Sequence, residues 1–420
     1  MTEFYGNVLK SENPITGRRI GETGSIINTA DAARRLDATI DAFSQVHTAE
    51  YTPLIELKSS YGLSALRDRV TTEGNGDVTW GDGEFIVSGQ GPGDTVFFRT
   101  AERGRYLAGL VGVPGLGVRV IDAPAGEGDE VRWGYFDDVQ GFGFGIDPDG
   151  LFTFTRRAGV DLEKRRRADW LNDSLDGSGP SGLTLDATDG AAYRLPFIYY
   201  GYGTFTFEAS VRGSAGRKDT LVECDVQGFP GQISVPDPNL PVAVELAGNC
   251  SVAVGGRQYG VFGRYMPNRR IVSDWRDSVS INNTAWTPLV SFRLKDAQSA
   301  AGNGFRSVSV KVAGAGILSD NDAIWALFLN PTLTGADFRT PRGHDAAETA
   351  TEYDVSATAM TGGENIYKAV VVSGQGNRSG AAEADVPNLD VPTAGTVTLA
   401  ARSFGASGSI KSVLRDRQEW

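Results

Sequence analysis

The most regular alternation of apolar and other positions lies between residues 141 and 157. The stretches GFGFGI, from Gly141, and LFTFTR, from Leu151, place bulky residues at every second position. Side chains of a strand point alternately to opposite faces, so this spacing predicts two strands that each place an apolar face in a core. The intervening DPDG combines a proline that presets φ with a glycine that can adopt positive φ. The sequence therefore predicts a β-hairpin with an exposed tip at residues 147–150 and four buried rings, those of Phe142, Phe144, Phe152 and Phe154.

A second aromatic run follows at residues 195–208, LPFIYYGYGTFTFE. Its alternation changes phase at Gly203, which predicts a β-bulge there. Between the two regions, DGSGPSG from Asp176 contains too many turn formers for regular structure and is expected to cross from one sheet to another. Residues 132–208 together predict one half of an antiparallel sandwich with aromatic layers inside.

The first 50 residues show a different pattern. A polar, breaker-rich segment precedes NTADAARRLDATIDAF, in which Thr29 or Asp31 can cap a helix. The apolar residues of this segment recur at roughly helical spacing and form one stripe, made of Ala32, Leu36, Ile40 and Phe43. A helix this short cannot form a core alone, so it must pack on its own sandwich, on sister subunits or on a docking partner.

From Tyr51 onward, short strand-like segments alternate with glycine-rich turns, without a regular long-period repeat. We expect an all-β fold of one or two antiparallel β-sandwiches, jelly-roll or lectin-like, behind an N-terminal arm and short helix. The 420 residues exceed one ordinary core. The expected divisions are the arm and helix (1–50), a main sandwich region (51–350) and closing strands of the same or a second sandwich (351–420). WTPLVSFRLKDA and RSVSVKVAGAGILS are predicted to form a strand pair.

Composition mainly argues against certain classes of function. The net charge of −12 disfavours nonspecific nucleic-acid binding, which needs clustered basic residues. The opening MTEFYGNVLK lacks an apolar signal region, and no stretch reaches the ~20 apolar residues of a membrane helix, so we expect no membrane insertion and assembly in a cytoplasm. Arginine outnumbers lysine 32 to 8, which indicates either a GC-rich genome or a salt-loving host.

Histidine and cysteine offer little material for catalysis. His47 and His344 are the only histidines, and isolated surface histidines are favoured over a triad or a metal site. Cys224 and Cys250 are 26 positions apart on predicted strands. Two buried free thiols are the favoured interpretation, and a disulfide across the sandwich is the alternative.

Four aspartates, Asp137, Asp138, Asp147 and Asp149, allow three interpretations. Paired carboxylates can hydrolyse glycosidic bonds, and carboxylate oxygens can bind Ca²⁺. Turn chemistry is favoured because both pairs lie beside predicted turns. We therefore expect no catalytic, cofactor-binding or metal-binding residues, with Ca²⁺ as the only cofactor considered.

Two further groups of residues could contact ligands. The basic run LEKRRRADW, from Leu162, could meet phosphate groups, but pairing with acidic neighbours or with another subunit is favoured. Aromatic rings could form a sugar-stacking platform, although their strand alternation favours packing in a core. The rings in question are those of Trp133, Tyr135, Tyr199, Tyr200 and Tyr202.

The ordered set of these motifs resembles a family of virion proteins from tailed viruses. The segments that carry the resemblance are LIELKSSYGL, RWGYFDD, GFGF, DWLNDSLDGSGPSGLTLD, YGYG, ALFLNPTLTGADF and MTGGENIYKAVVVSGQG, between residues 54 and 376. Members of this family are described as tail, appendage or minor structural proteins, and the resemblance supplies no catalytic residues. It also implies that the basic run lies in a loop before a strand containing Trp170.

The resemblance implies a structural subunit of a surface appendage of a tailed virus. Such a subunit would sit in the tail, baseplate, a fibre or a capsid vertex, contact sister subunits and other virion proteins, and attach to the host surface. Two alternatives stay open at this point: a glycan-binding receptor module and a polysaccharide-degrading tail enzyme. We expect the non-enzymatic role.

Overall fold

The computed structural model describes residues 51–212, 219–263, 269–295, 308–373 and 395–419, with Pro267 and Val391, and the backbone of 18–20, 26–28 and 380–384. The described residues form antiparallel β-sheets with three short 3₁₀ helices, Ser59–Tyr61, Arg167–Asp169 and Ala346–Glu348. The predicted all-β sandwich fold is confirmed. The chain divides into two compact units, Met1–Tyr265 (unit 1) and Met266–Trp420 (unit 2).

Unit 1 contains seventeen strands among its described residues. They are β1 (Arg18–Ile20), β2 (Ile26–Asn28), β3 (Tyr51–Leu57), β4 (Asp68–Glu73), β5 (Asp77–Gly81), β6 (Glu84–Ser88), β7 (Thr95–Thr100), β8 (Val111–Asp122), β9 (Glu130–Phe136), β10 (Gly141–Asp147), β11 (Gly150–Arg157), β12 (Val160–Arg166), β13 (Ala191–Arg194), β14 (Phe205–Val211), β15 (Thr220–Gln227), β16 (Val242–Ala247) and β17 (Ser251–Phe262).

These strands form two large sheets. The seven-stranded sheet has the order β12-β11-β10-β9-β16-β7-β4. The eight-stranded sheet has the order β15-β14-β13-β8-β17-β6-β5, and β3 also pairs with β17. The segment between β12 and β13 passes from the first sheet to the second, as predicted for the DGSGPSG loop. β1 and β2 form a separate pair, and the predicted helix at 29–44 lies outside the described residues.

The predicted hairpin is β10–β11, in which Asp147 is paired with Gly150 across the turn. All four phenylalanines are buried, as predicted. Register places them on two faces of the sheet. Phe142 and Phe144 lie opposite Tyr135 and Trp133 and enter the core between the sheets. Phe152 and Phe154 lie opposite Gly145 and Gly143 and form a second cluster with Phe136 and Ala243.

Aromatic rings join the two sheets of unit 1. Trp133 of β9 meets Tyr193 of β13 with ring centroids 5.1 Å apart. Along the same interface, Phe142 stacks on Phe205 at 3.9 Å, with an interplanar angle of 11°. These contacts alternate along β9 and β10 because every second residue faces the opposite sheet. The loops that leave these strands are therefore held on a rigid, closely packed base.

Unit 2 contains eleven strands among its described residues. They are β18 (Arg269–Ile281), β19 (Thr287–Leu294), β20 (Ser309–Ser319), β21 (Ala323–Leu329), β22 (Thr332–Thr334), β23 (Thr351–Asp354), β24 (Ala359–Thr361), β25 (Glu364–Val371), β26 (Gly380–Ala384), β27 (Thr396–Ser403) and β28 (Gly408–Glu419).

Two expectations about this half of the chain differ from the structure. β19 and β20, predicted as a strand pair, lie in different sheets, with orders β23-β19-β27-β21-β25 and β18-β28-β20-β26. The expected division at residue 350 falls inside unit 2, because β19 pairs with β23 and β27 from beyond it. The boundary between the compact units lies instead after Tyr265.

A buried polar network joins the two sheets of unit 2. The Asp416 carboxylate of β28 accepts hydrogen bonds from Thr351 Oγ1 at 2.7 Å and from the Tyr353 hydroxyl at 3.0 Å. Gln418 Nε2 donates to the other carboxylate oxygen at 3.2 Å. Burial outweighs these hydrogen bonds and raises the pKa of Asp416 to about 7.

Candidate functional site

The four aspartates do not form one site. Asp137 lies at the Gly141 end of β10, whereas Asp147 and Asp149 lie at the opposite end. The seven residues of β10 span about 20 Å at 3.3–3.4 Å per residue. Two carboxylates that flank a glycosidic bond are about 5 to 9.5 Å apart. Asp137 and Asp147 therefore cannot act together on one bond.

Asp137 holds a turn and a buried ion pair. Its Oδ1 accepts hydrogen bonds from the backbone N–H groups of Val139 and Gln140, both at 2.9 Å. Its Oδ2 pairs with Arg103 Nη2 at 2.5 Å, and both side chains are largely buried. The neighbouring Asp138 is exposed. These contacts match the turn chemistry favoured from the sequence.

Asp147 forms ion pairs with two basic side chains of β12. Its carboxylate pairs with Lys164 Nζ at 2.8 Å and with Arg166 Nη1 at 2.6 Å, and Oδ1 also caps the Asp149 backbone N–H. Burial alone would raise the pKa of Asp147, but the hydrogen bonds from Arg166 and Lys164 outweigh it and lower that pKa. Asp147 is thus buried at a tip predicted to be exposed, while Asp149 is exposed.

The structure describes both cysteines and one of the two histidines. Among the residues that the structure describes, no cluster of three or more His, Cys, Asp or Glu side chains could hold a metal ion. Cys224 and Cys250 are free and buried, which confirms the favoured interpretation. His344 lies in a loop with Nδ1 3.4 Å from Arg270 Nη2, and His47 lies outside the described residues. No described helix has the length and apolarity needed to cross a membrane.

The basic run pairs with acidic neighbours, as favoured from the sequence. Lys164 also reaches Glu130 at 2.6 Å, and Arg165 reaches the fully buried Asp225 at 2.5 Å. Its predicted location in a loop is wrong, because Val160–Arg166 forms the edge strand β12. Successive residues of this strand lie on opposite faces. Lys164 and Arg166 therefore lie over the Phe152 ring on one face, whereas Arg165 lies on the other face, toward the eight-stranded sheet.

The five aromatic residues considered for a sugar-stacking platform separate into two groups, although core packing was favoured for all of them. Trp133 and Tyr135 are fully buried in the core of unit 1. Tyr200 and Tyr202 are exposed, with 48% and 70% of their surface accessible. Tyr199 lies between these extremes. The second group is the candidate functional site, and residues 199–202 are called the tyrosine turn below.

The tyrosine turn is a tight β-turn rather than part of a strand. The Tyr202 backbone N–H donates to the Tyr199 carbonyl at 3.0 Å. Both central residues have positive φ, 39° at Tyr200 and 84° at Gly201, which is the pattern of a type I′ turn. The bulge predicted at Gly203 is wrong: the strand begins only at Phe205, and the pairing of β14 with β15 shifts at Phe207/Glu208.

Two features fix the shape of the tyrosine turn. Gly203 is obligatory, because a Cβ atom there would overlap the Ile198 carbonyl oxygen. Tyr200 adopts a left-handed conformation that disfavours residues with a Cβ atom. Non-glycine residues held in this region cluster at ligand-binding and active sites, where the surrounding structure maintains the strain. Tyr200 is one of five described non-glycine residues with positive φ, so its conformation fixes where the ring lies, and the exposure of the ring is what points to a ligand.

The base of the turn is anchored to the core. Tyr106 stacks on the buried Phe197 with centroids 5.6 Å apart and meets the Tyr199 ring edge-on at the same distance. The Tyr199 backbone N–H donates to the Tyr106 hydroxyl at 3.1 Å, and the Tyr199 hydroxyl donates to the Pro236 carbonyl at 3.1 Å. Burial raises the pKa of both hydroxyls, so each stays protonated at neutral pH.

A second loop lies beside the turn. The Ser234 backbone N–H donates to the Gly201 carbonyl at 3.2 Å, and the neighbouring Ile233 and Gln232 are exposed. Arg157 Nη1 donates to the Ile233 carbonyl at 2.8 Å and to Gln232 Oε1 at 3.3 Å. The surface therefore combines exposed rings, one aliphatic side chain and polar groups that can donate or accept hydrogen bonds.

Sequence reasoning missed Tyr106 and placed the tyrosine turn in a strand. Tyr106 lies in the region after Tyr51 where alternation predicted short strands, whereas β8 begins only at Val111. The sequence signal that could have revealed the turn is Tyr-Gly-Tyr-Gly itself. Two glycines in alternate positions permit positive φ and close approach as readily as they permit a strand.

Comparisons with known proteins identify no family. No family model matches the chain, and no curated protein matches it. Among solved structures, the chain is similar to a legume lectin-like domain from Entamoeba histolytica, at 12% identity and a TM-score of 0.30 over 47% of this chain and 91% of that chain. It is similar to peanut lectin at 10% identity and a TM-score of 0.33, over 52% of this chain and 100% of that chain.

A third similar structure is the CBM2 module of the evolved Dit protein of Lactobacillus casei BL23 phage J-1. It has 8% identity and a TM-score of 0.33, over 52% of this chain and 99% of that chain. All three comparisons leave about half of this chain unmatched, and their TM-scores are low. Function is therefore inferred from the chain's own residues.

Proposed function

We propose that this protein binds glycans through the tyrosine turn and is a subunit of a surface appendage on a tailed-virus particle. The observation that carries the glycan-binding part is the exposed pair Tyr200 and Tyr202 on a strained turn whose base is locked to the core. A tyrosine ring offers an apolar face for a sugar ring and a hydroxyl for hydrogen bonds. A rigid turn loses little conformational entropy on binding.

The surroundings of the turn support this ligand class. Sugars present apolar C–H faces edged by hydroxyl groups, so a matching site needs rings beside donors and acceptors. Gln232 and Ser234 belong to the loop that borders the turn, where the Ser234 backbone N–H donates to the Gly201 carbonyl and Gln232 Oε1 accepts from Arg157. Placement on loops above a packed sandwich is also the usual arrangement of binding residues on a rigid scaffold.

The test is binding of the purified full chain to an array of microbial surface polysaccharides and defined oligosaccharides. We expect Tyr202→Ala to weaken the binding of a recognised glycan about tenfold, a loss of about 1.4 kcal/mol. Phe404→Ala removes an exposed ring from unit 2 and is the matched control, with no expected change. Equal binding by wild type and Tyr202→Ala, or equal losses in the two variants, would contradict the proposal.

The appendage role is supported by the ordered motifs between residues 54 and 376 that resemble tailed-virus virion proteins. In this role the protein contacts sister subunits and other virion proteins, and the glycan is part of the host surface. A tail or baseplate location is favoured over a capsid vertex. Mass spectrometry and an electron-microscopy map of purified particles test this role, and absence of the chain from intact particles overturns it.

We expect no hydrolysis of the bound glycan. The aspartates that could act as an acid and a base lie at opposite ends of β10, and Asp137 and Asp147 are each paired with a cation. Assays for new reducing ends on any glycan that binds provide the check. Release that Asp137→Asn or Asp138→Asn abolishes would show instead that the protein is an enzyme.

A further inference from the structure

The two units contain the same buried arrangement of a threonine, an aspartate and a glutamine. In each unit the aspartate and the glutamine are two positions apart on one strand, and the threonine lies on a strand of another sheet. All six side chains are fully buried. The two sets are Thr153, Asp225 and Gln227 in unit 1 and Thr351, Asp416 and Gln418 in unit 2.

In unit 1 the Asp225 carboxylate lies beside both the Thr153 hydroxyl and the Gln227 amide. Thr153 Oγ1 donates to Asp225 Oδ2 at 2.6 Å, and Gln227 Nε2 donates to Thr153 Oγ1 at 3.0 Å and to Asp225 Oδ2 at 3.5 Å. Thr155 Oγ1 donates to the amide oxygen, Gln227 Oε1, at 2.6 Å. Arg165 Nη1 lies 2.5 Å from Asp225 Oδ1 and is the cationic partner of this carboxylate.

Unit 2 repeats the contacts among the hydroxyl, the carboxylate and the amide. Thr351 Oγ1 donates to Asp416 Oδ2 at 2.7 Å, and Gln418 Nε2 donates to Thr351 Oγ1 at 2.9 Å and to Asp416 Oδ1 at 3.2 Å. Here a backbone group contacts the amide oxygen, since the Ala350 N–H donates to Gln418 Oε1 at 3.1 Å. The pKa of Asp416, about 7, suits a group that both accepts and returns a proton near neutral pH.

These groups have the roles that acyl transfer requires. A carboxylate that accepts a hydrogen bond from a hydroxyl can act as a general base and make the hydroxyl oxygen a nucleophile. The amide carbon is the electrophile, and a donor on the amide oxygen stabilises the negative charge that develops there. The carboxylate also contacts the amide nitrogen, so it can return the proton to the leaving group. Burial excludes the water that would hydrolyse the product.

We propose that each unit forms an intramolecular ester cross-link, from Thr153 to Gln227 in unit 1 and from Thr351 to Gln418 in unit 2. The threonine Oγ1 bonds to the glutamine Cδ while the aspartate takes the hydroxyl proton. The bond between Cδ and Nε2 then breaks, and Nε2 leaves as ammonia with the proton from the aspartate. Each ester releases one ammonia and consumes no oxidant or other reactant. The links join the sheets of each unit across 74 and 67 positions of the chain, and they do not depend on the proposed function.

Intact mass spectrometry of the purified, denatured full chain counts the esters. Each ester lowers the mass by one ammonia, about 17 Da, so we expect the wild type to be about 34 Da lighter than its sequence predicts. Peptide mapping is expected to recover Thr153 joined to Gln227 and Thr351 joined to Gln418. Mild alkali hydrolyses an ester but not an amide, so it should separate these peptides and leave glutamate in place of both glutamines.

Substitution of each threonine removes one nucleophile and leaves the other unit as an internal standard. Thr153→Val and Thr351→Val keep the size of the side chain, and each is expected to halve the mass deficit. Thr153→Ser and Thr351→Ser keep a hydroxyl and are expected to retain the full deficit. Thr398→Val, at a fully buried threonine that pairs with Ser291, is the matched control and should not change the deficit.

The wild-type mass and its peptide map decide the question even where a variant does not fold. A wild-type mass equal to that of the sequence overturns the proposal. A deficit that maps to other residues, or that both valine variants leave unchanged, also overturns it. A deficit of one ammonia mapped to one unit overturns the proposal for the other unit. None of these measurements involves glycan binding, so their outcome is separate from that of the proposed function.

Discussion

At the scale of single residues, Phe144 connects both sheets of unit 1. Its ring lies 4.9 Å from Tyr193 and 5.5 Å from Phe207, which belong to the opposite sheet, and 6.0 Å from Trp170. We expect Phe144→Ala to lower the free energy of unfolding by about 3–5 kcal/mol, because the cavity lies in a closely packed core. Denaturant unfolding measures this change.

Val139→Ala is a suitable control for Phe144→Ala. Val139 lies in the turn between β9 and β10 and is exposed, so its truncation is expected to change stability by less than about 0.5 kcal/mol. Similar losses in the two variants would mean that the burial of Phe144 does not stabilise the sandwich. Near-native stability of Phe144→Ala would lead to the same conclusion.

Tyr200 presents a trade-off between stability and binding. Glycine adopts positive φ without a penalty, so Tyr200→Gly should raise the free energy of unfolding by up to about 1 kcal/mol while weakening glycan binding. Thermal unfolding and the glycan array measure the two effects on one protein. Tyr202→Gly, from a residue outside the turn's positive-φ pair, is the control and should not stabilise. Unchanged glycan binding by a stabilised Tyr200→Gly would mean that neither the Tyr200 ring nor its strained backbone contributes to glycan binding.

The residue scale also shows how far alternation predicts burial. It identified Phe142, Phe144, Phe152 and Phe154 as buried, and they are. It could not assign the two pairs to different clusters, because that depends on which residues face them across the sheet. For the candidate site it named Tyr199, Tyr200 and Tyr202 but favoured burial, since glycine spacing does not distinguish a strand from a turn.

At the scale of elements, the β28 network in unit 2 gives a pH-dependent stability. The pKa of Asp416 is raised by burial to about 7, well above the ~3.9 of an unfolded aspartate. Between these values the folded state binds more protons than the unfolded state. The stabilisation is complete below about pH 4 and is lost as the pH rises through about 7, with a slope of up to about 1.4 kcal/mol per pH unit.

Asp416→Asn should remove this slope, since an amide does not titrate. Denaturant unfolding of unit 2 at pH 5, 6 and 7.5 measures it, with Asp277→Asn at an exposed position of β18 as the control. Backbone N–H donors lower the pKa of Asp94 and Asp129 in unit 1, so both titrate below this window. An identical pH dependence in wild type and Asp416→Asn would exclude Asp416 as the source.

Elements that pair with their sequence neighbours were the predictable ones. The β10–β11 hairpin has a four-residue DPDG signal, and its register follows from the turn. β19 and β20 look like a similar pair, but their partners are β23, β27, β28 and β26. These contacts join residues up to 114 positions apart, as for Thr287 and Ala401, and alternation within one strand carries no information about such partners.

At the scale of the whole molecule, the first 50 residues are expected to mediate assembly. A polar arm with one apolar helical stripe is suited to ordering on a partner. Multi-angle light scattering and incorporation into particles should compare the full chain with a chain that begins at Tyr51. We expect the full chain to form oligomers and join the particle, and the shorter chain to do neither efficiently. Monomers in both cases with equal incorporation would refute this role.

The division of the molecule was the least predictable feature. Strands of both units have the same alternation and the same glycine-rich turns, so the expected boundary fell at residue 350 rather than after Tyr265. The net charge of the two units differs. Residues 266–420 contain 16 acidic and 15 basic residues, which leaves 36 acidic and 25 basic residues in 1–265, so unit 1 carries almost all of the net charge of −12.

The two buried thiols allow the opening of unit 1 to be measured without added labels in the chain. Burial raises the pKa of Cys224 well above its usual value and that of Cys250 to about 12, so neither sulfur is a reactive thiolate at neutral pH while the sheets stay closed. The sequence has no other cysteine. A thiol-specific dye added to the native protein would therefore be consumed only as fast as unit 1 exposes these positions, and unit 2 would be invisible to it. The labelling kinetics of the unmodified chain would thus measure the rate at which unit 1 opens while unit 2 is present.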